Sequence, residues 1–239
     1  MSDKNLIKLK GCQHFRIKIA YSLLLQKPVE ISNIRNNSIN PGLTEYEISF
    51  LKLVENITNG TKIEISKTGT IIKFYPGVIT NNYGNLLEFS CDNSRGLTYF
   101  LEGIIPIALF GKESLNIILK GVTNDNGDIS CDTFKNVTCA LIQKLVYGDK
   151  VEFDIQKRGV VPLGNGQIRF KCPIISFLNN FDWVDEGKIK RVRGVAFTSR
   201  VPGSFTTRMV DACRGVFNNF LPDVWIAVDN YKSKNKEEM

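Results

Sequence analysis

The chain has 239 residues, enough for one large domain, or for one domain and part of a second. Its apolar (43%) and charged (23%) fractions are those of an ordinary globular protein and exclude a fibrous or low-complexity chain, while a net charge of +7 favours polyanionic partners, nucleic acid first. No apolar run is long enough for a signal peptide or a bilayer span, and the six cysteines are scattered without a CxxC pair or a neighbouring histidine; the expectation is a chain with no membrane partner, no metal site and reduced thiols, in cytosol or nucleus.

In chain order, apolar residues three and four apart (Phe15, Ile19, Leu23 and Ile17, Ala20, Leu24) predict a helix over 16–25. A second is predicted over 44–57, with Thr44 as N-cap and Glu47 closing a capping box. Residues 62–66 and 70–75 read as a hairpin with Ile63, Ile65 and Ile71 facing inward. A strongly apolar helix follows over 95–110, kinked or shortened by Pro106, and then another over 133–146 with Asp132 as its cap. Residues 168–172 form a short strand, 186–193 a basic strand, 204–219 a helix and 224–229 a last strand, before a polar tail. Four times a helical stretch ends in a tight turn, a lysine and an alternating strand, at Lys27, Lys62, Lys112 and Lys150. Recurrence of one supersecondary unit predicts αβ modules built by duplication, an α/β (α+β) fold.

Four local constellations carry possible chemistry. Gly159 to Gly166 is glycine-rich, but a phosphate-cradling loop would open a helix, whereas Gln167 onward continues as strand, so a hairpin turn is expected. Gly121-Val122-Thr123-Asn124-Asp125 is a turn whose oxygens could face a ligand. His14, the single histidine, has no partner at triad or metal-ligand spacing, but the junction from Gln13 to Arg16 opens a helix and suits an anion, with Arg35 as a second contributor. The run Lys188, Lys190, Arg191 and Arg193 reads either as a phosphate-contacting surface or as a solvated edge strand.

Six stretches taken in series are more specific than any one of them: Lys10-Gly11-Cys12-Gln13-His14-Phe15-Arg16; Asn33-Ile34-Arg35 with Pro41-Gly42-Leu43; Gly121 to Asp125; Lys157-Arg158-Gly159 with Pro162 and Gly164-Asn165-Gly166; Gly187 to Val195; and Ala212-Cys213-Arg214-Gly215-Val216. Together, over residues 6–229, they resemble the RNA 3′-terminal phosphate cyclase family, and more closely its cyclase-like branch. The resemblance implies a body of repeated αβ modules over 1–185, the first part of a smaller inserted domain over 186–229 and a disordered tail over 230–239. Family members continue further, so the chain is expected to be a C-terminally truncated form.

The resemblance also separates two functions. The cyclases carry a Glu-Gly-Gly-Gly-Gln-x-x-Arg signature, of which this chain keeps Gln13 and Arg16 but has Leu9 at the glutamate and Lys10 and Cys12 at two glycines. Arg35 is kept, whereas Ser38 replaces a second arginine and Tyr46 a glutamine. The family's nucleophilic histidine lies beyond Met239, and His14 does not stand in for it. The resemblance therefore implies no catalytic residue and no cofactor, with Gln13, Arg16 and Arg35 left as an anion or RNA-phosphate site. It implies a nucleolar factor acting in early processing of the small-subunit (18S) ribosomal RNA precursor. Its expected partners are that RNA, the small-subunit processing complex and a nucleolar GTPase. The alternative is an ATP-dependent RNA 3′-terminal phosphate cyclase whose catalytic part lies outside this chain.

Overall fold

The structure, a computed structural model, describes residues 6–146, 150–178, 180, 182–185, 187–199 and 201–231. The chain divides into two compact units, 1–180 and 181–239, where the sequence reading set the boundary between 185 and 186.

The first unit holds two copies of one βαβαββ module. The first copy comprises β1 (Ile7–Lys10), α1 (Phe15–Leu25), β2 (Val29–Ser32), α2 (Glu45–Ile57), then β4 (Lys62–Ile65) and β5 (Ile72–Tyr75). A short ladder of β3 (Thr58–Asn59) with β6 (Val78–Ile79) leads out of it. The second copy comprises β7 (Leu86–Ser90), α3 (Leu97–Ala108) and β8 (Leu115–Gly121). It continues with α4 (Cys131–Thr133), a π-helical stretch Phe134–Thr138, α5 (Cys139–Leu145), β9 (Glu152–Lys157) and β10 (Gly166–Cys172). Strand orders β1-β2-β5-β4 and β7-β8-β10-β9 correspond one to one, each with a parallel pair joined across a helix and an antiparallel pair closed by a hairpin. The four helix–turn–lysine–strand units thus combine two by two. The turn of the fourth, residues 147–149, lies outside the described residues.

Strict alternation explains why each sheet buries one face. On β10, Ile168, Phe170 and Cys172 are buried while Gln167, Arg169 and Lys171 between them are half-exposed. Val29 and Ile31 on β2 pair with Phe74 and Ile72 on β5, and all four are buried. The cores of both modules merge into one apolar cluster that includes Phe50, Phe100, Phe134 and Phe170.

Several boundaries differ from the sequence reading. In the first hairpin Ile72 and Phe74 carry the buried face, and Ile71 precedes the strand and is exposed. Ile63 and Ile65 share the inward face, but β4 is the edge strand, so Ile65 overhangs the core and is exposed too. The helix with Pro106 runs from Leu97 to Ala108, ending two residues after the proline. Asp132 is not a cap: the Ser130 hydroxyl accepts the Thr133 N–H at 3.0 Å, while Asp132 accepts two bonds from Arg158 at 2.7 and 2.9 Å.

The second unit is a βαβ element: β11 (Val192–Ser199), α6 (Ser204–Phe217) and β12 (Val224–Tyr231), with the strands parallel and in register from Val192↔Val224 to Ser199↔Tyr231. Its core is small, centred on Ala196, Val210 and Ile226. The basic stretch is not a strand before Val192: Lys188, Lys190 and Arg191 lie on exposed coil, and Arg193 is the one basic residue of the four within β11. The side chains that meet α6, Ala196 against Val210 and Thr198 bonded to Thr206, come only later in the strand. The last strand also runs to Tyr231, two residues into the expected tail. The Asn230 carboxamide oxygen holds it there by accepting from the hydroxyls of Thr198 (2.8 Å) and Thr206. Residues 232–239 and Glu186 lie outside the described residues. Among the described residues no helix is long and apolar enough to cross a membrane.

Phe170 is fully buried and its ring lies 6.2 Å from that of Phe134 and 6.3 Å from that of Phe153. Phe170→Ala should lower stability by about 3–5 kcal/mol, read as a fall in the denaturation midpoint without a change in slope.

Candidate functional site

In each module the two parallel strands point their carboxyl ends at the same rim, where open α/β sheets place ligands. In the first module, β1 delivers Gly11 in the left-handed region (φ 71°), followed by His14 (φ 54°) just before α1. The Lys18 ammonium donates back to the carbonyls of Lys10 (2.9 Å) and Gly11 (2.8 Å), fixing this junction. Arg16 then reaches across to α3. Its guanidinium sits 4.1 Å from the Tyr99 ring centroid and donates to the Tyr99 carbonyl and, at 3.2 Å, to Glu102 Oε2. Gly103 allows this approach, because a Cβ there would overlap the Phe50 ring and come within 3.1 Å of the Arg16 Cδ.

From β2 the chain turns through Asn33 and Arg35, both in the left-handed region (φ 58° and 48°). Arg35 is clamped: Nη1 donates to the Gly42 carbonyl and to Glu47 Oε2, both at 2.8 Å, and Nη2 to Glu47 Oε1 at 2.7 Å. Glu47 also accepts the Thr44 N–H at 2.9 Å, the carboxylate half of the expected capping box, so one side chain opens α2 and holds the arginine. The bond to Glu47 raises the Arg35 pKa above its already high ordinary value.

A third arginine completes the cavity. Arg95, just before α3, donates through Nε (2.8 Å) and Nη2 to the two oxygens of Asp128, which also accepts the Gly96 N–H at 2.9 Å. Its guanidinium lies 4.5 Å from the Tyr99 ring and 5.2 Å from that of Tyr46, and these rings meet edge to face at 5.2 Å. Burial raises the Tyr99 pKa well above the ordinary phenol range, and only in part do Arg16 and Arg95 oppose this. The resulting cavity of about 260 Å³ is lined by Cys12, His14, Arg16, Arg35, Tyr46, Glu47, Arg95 and Tyr99.

The structure therefore brings Arg16 and Arg35 together and leaves Gln13 exposed outside the lining. Arg95 falls inside a helix in the sequence reading and carries no role there. The signal that would have found it is the repeat itself, since Arg95 precedes α3 as the Arg16 junction opens α1. Each guanidinium already faces a carboxylate of the chain, Arg16 with Glu102, Arg35 with Glu47 and Arg95 with Asp128. Arg35 and Arg95 are held by two-pronged pairs, the stronger geometry. Arg16 meets its carboxylate through a single bond, at 3.2 Å, and that carboxylate is 40% exposed. It is the arginine that an incoming anion could take over.

Two of the other constellations serve the fold itself. Thr123 is buried and exchanges hydrogen bonds with Gly159, while Asp125 accepts the Asp128 N–H at 3.0 Å; their oxygens build the loop. The glycine-rich stretch at Gly159 is the turn joining β9 to β10, as expected. Lys188, Lys190 and Arg191 are exposed, and Arg193 pairs with Asp223 at 2.9 Å. Among the described residues, no group of three His, Cys, Asp or Glu side chains is placed to hold a metal ion.

The family model for RNA 3′-terminal phosphate cyclase matches residues 7–235, nearly the whole chain. The chain belongs to the RNA 3′-terminal phosphate cyclase family. Within it, the chain is similar to proteins named RNA 3′-terminal phosphate cyclase-like. It is 41% identical to one from Dictyostelium discoideum over 95% of this chain and 61% of the relative. With one from Homo sapiens the identity is 40%, over 94% of this chain and 60% of the relative. A protein of Schizosaccharomyces pombe named an rRNA processing protein is 37% identical, over 96% of this chain and 63% of the relative. The chain thus spans about three fifths of the length of these relatives. Of the departures from the cyclase signature, Cys12 and Tyr46 line the cavity, whereas Leu9 and Ser38 stand outside its lining. Leu9 is half-buried on β1 against the core, and Ser38 is exposed, with its N–H donating to the Arg35 carbonyl at 3.0 Å. Tyr46, in place of a glutamine, stands in the cavity wall.

Burial works against the Asp128 carboxylate, but the bonds from Arg95 and Gly96 outweigh it and hold its pKa below the ordinary value. A depressed folded pKa means that the pair's contribution is complete above the unfolded pKa of about 3.9 and is lost as the pH falls through the folded value. Asp128→Asn should therefore cost about 2 kcal/mol at neutral pH. The difference should hold down to about pH 4 and close only as the pH falls through the lowered folded pKa, as followed by denaturant titrations across pH.

Proposed function

We propose that this protein is a ribosome-biogenesis factor of the nucleolus that acts in early processing of the small-subunit (18S) ribosomal RNA precursor and forms no cyclic phosphate. The observation that carries the reading is the cavity. It stands where the cyclase signature lies, yet its arginines are matched by the chain's own carboxylates and Tyr46 occupies a glutamine position. A site that must gather the charge of a triphosphate needs unneutralised donors aimed at it. This one is suited instead to a single phosphate group, admitted when Arg16 exchanges Glu102 for it. Likeness to the rRNA processing protein of Schizosaccharomyces pombe supports the RNA class. In this reading the exposed Lys188, Lys190 and Arg191 meet phosphates or the acidic surface of a GTPase partner, since they offer charge without interleaved aromatic side chains.

Two measurements test the reading. Depleting the protein from cells should leave uncleaved small-subunit precursor and lower 18S RNA, seen on northern blots; an unchanged precursor pattern would overturn the rRNA assignment. Incubated with radiolabelled ATP and magnesium and run on a denaturing gel, the natively expressed protein should stay unlabelled. A covalent adenylate would restore the cyclase alternative.

A further inference from the structure

The second unit leaves one face of its sheet open. On β11, Ala196 and Thr198 turn to α6, and on β12 Ile226 joins Ala196 against Val210 of that helix. Alternation then places Arg193, Val195 and Phe197 of β11 and Trp225, Ala227 and Asp229 of β12 on the opposite face. The strands are in register, so Arg193 stands beside Trp225, Val195 beside Ala227 and Phe197 beside Asp229. Trp225 is 56% exposed and takes no part in the small core under α6. Its neighbour Arg193 pairs with Asp223 at 2.9 Å, and both side chains are about half exposed. The coil that leads into β11 adds Lys188, Lys190 and Arg191, all exposed. The other carboxylate of the face, Asp229, lies across from Phe197, at the end away from Trp225. One end of the face is therefore aromatic and basic.

We propose that this face binds single-stranded RNA, with a nucleobase stacked on Trp225 and phosphates held by Arg193 and the basic coil, an inference that rests on the RNA class assigned above. A sheet backed by a helix on one side offers a flat surface on the other, where aromatic side chains stack unpaired bases. Every base has a π-face, so the contact tolerates any sequence. Neighbouring strands lie about 5 Å apart, which sets the phosphate of a base on Trp225 within reach of the Arg193 guanidinium. Val195 and Ala227, next along the strands, are short side chains that leave the indole clear on that side. Arg193 and Asp223 are both in water and weakly tied, so an incoming phosphate takes the arginine over. A duplex keeps its bases stacked on one another and offers none to the ring. An acidic protein surface would use the lysines and arginines but has no need of the tryptophan.

The test is a titration of the purified protein with a twelve-nucleotide oligouridylate at several salt concentrations, with poly-glutamate run in parallel as an acidic polymer without bases. The chain has two tryptophans, Trp183 and Trp225. In a Trp183→Phe background the remaining fluorescence should be quenched by the oligouridylate and not by poly-glutamate. Trp225→Ala should weaken RNA binding by about 5- to 150-fold, the range for losing one stacked base. Its salt slope should stay that of the parent, because no charge is lost, and Trp225→Phe should restore most of the affinity. Replacing Lys188, Lys190 and Arg191 with glutamine should instead lower the slope, by roughly 0.7 for each phosphate of a single strand that is no longer neutralised. The proposal is overturned if Trp225→Ala, folded by circular dichroism, binds RNA with the parent's affinity, or if saturating RNA leaves the Trp225 fluorescence unchanged. It is also overturned if Trp225 proves to matter for poly-glutamate and not for RNA, which would make the face a protein-docking surface. Trp225-dependent RNA binding alongside an unchanged precursor pattern would remove the rRNA assignment and leave this site standing, whereas the reverse result would remove this site alone.

Discussion

The seating of α3 on α1 and α2 is the contact on which the rest of the body depends. It is made through Gly103, where a methyl group would overlap the wholly buried Phe50 ring and crowd Arg16 at 3.1 Å. Phe50 is buried, so any side chain at this position must displace its ring. Each module taken alone is of the size at which a single core is marginal. Packed through α3, the two share one cluster, and the same closeness lets Arg16 reach the Tyr99 carbonyl and ring. Stability of the body and assembly of the cavity therefore rest on one helix contact.

What the sequence made legible follows from the range of the interactions involved. Helix α1, the capping carboxylate of Glu47 and the turn between β9 and β10 are decided within a few residues, and their patterns read correctly. The lysine-marked repeat is visible too, but its grouping into two βαβαββ modules depends on β5 and β10 inserting beside β2 and β8, a choice made between distant segments. Asp132 reads as a cap because it stands at a helix start. Its actual partner, Arg158, is remote in sequence, and the neighbouring Ser130 serves the helix instead. Arg16 and Arg35 are found through the motifs that contain them. Arg95 is not, because nothing local distinguishes an arginine that opens a helix from one that pairs with Asp128 across a loop.

Charge shows the same limit. The surplus of +7 favours a polyanion partner but not where one would sit. Motif matching points to the arginine cavity, yet three carboxylates there offset three guanidinium groups, and two of those pairs are two-pronged. Breaking a buried pair leaves a desolvated charge behind, so Arg35 and Arg95 act as struts that shape the cavity while Arg16 remains exchangeable. A motif arginine can be retained for architecture as readily as for a ligand, and only its partners tell the two apart.

Duplication makes the contrast between the open sheet faces informative. Both sheets keep an apolar buried face, because that face joins a shared core and one-residue slips would turn it to solvent. The open faces carry no such requirement. A neutral face such as Lys8, Glu30, Lys73 and Glu64 satisfies itself through cross-strand pairs and needs nothing from outside. At the corresponding strand positions of the second sheet the row Glu88↔Ile118↔Arg169↔Asp154 also carries both signs, and Glu88 turns to Lys120 at 2.6 Å. Both open faces thus mix signs along a cross-strand row although their residues differ, which is what pairing on an exposed sheet face favours.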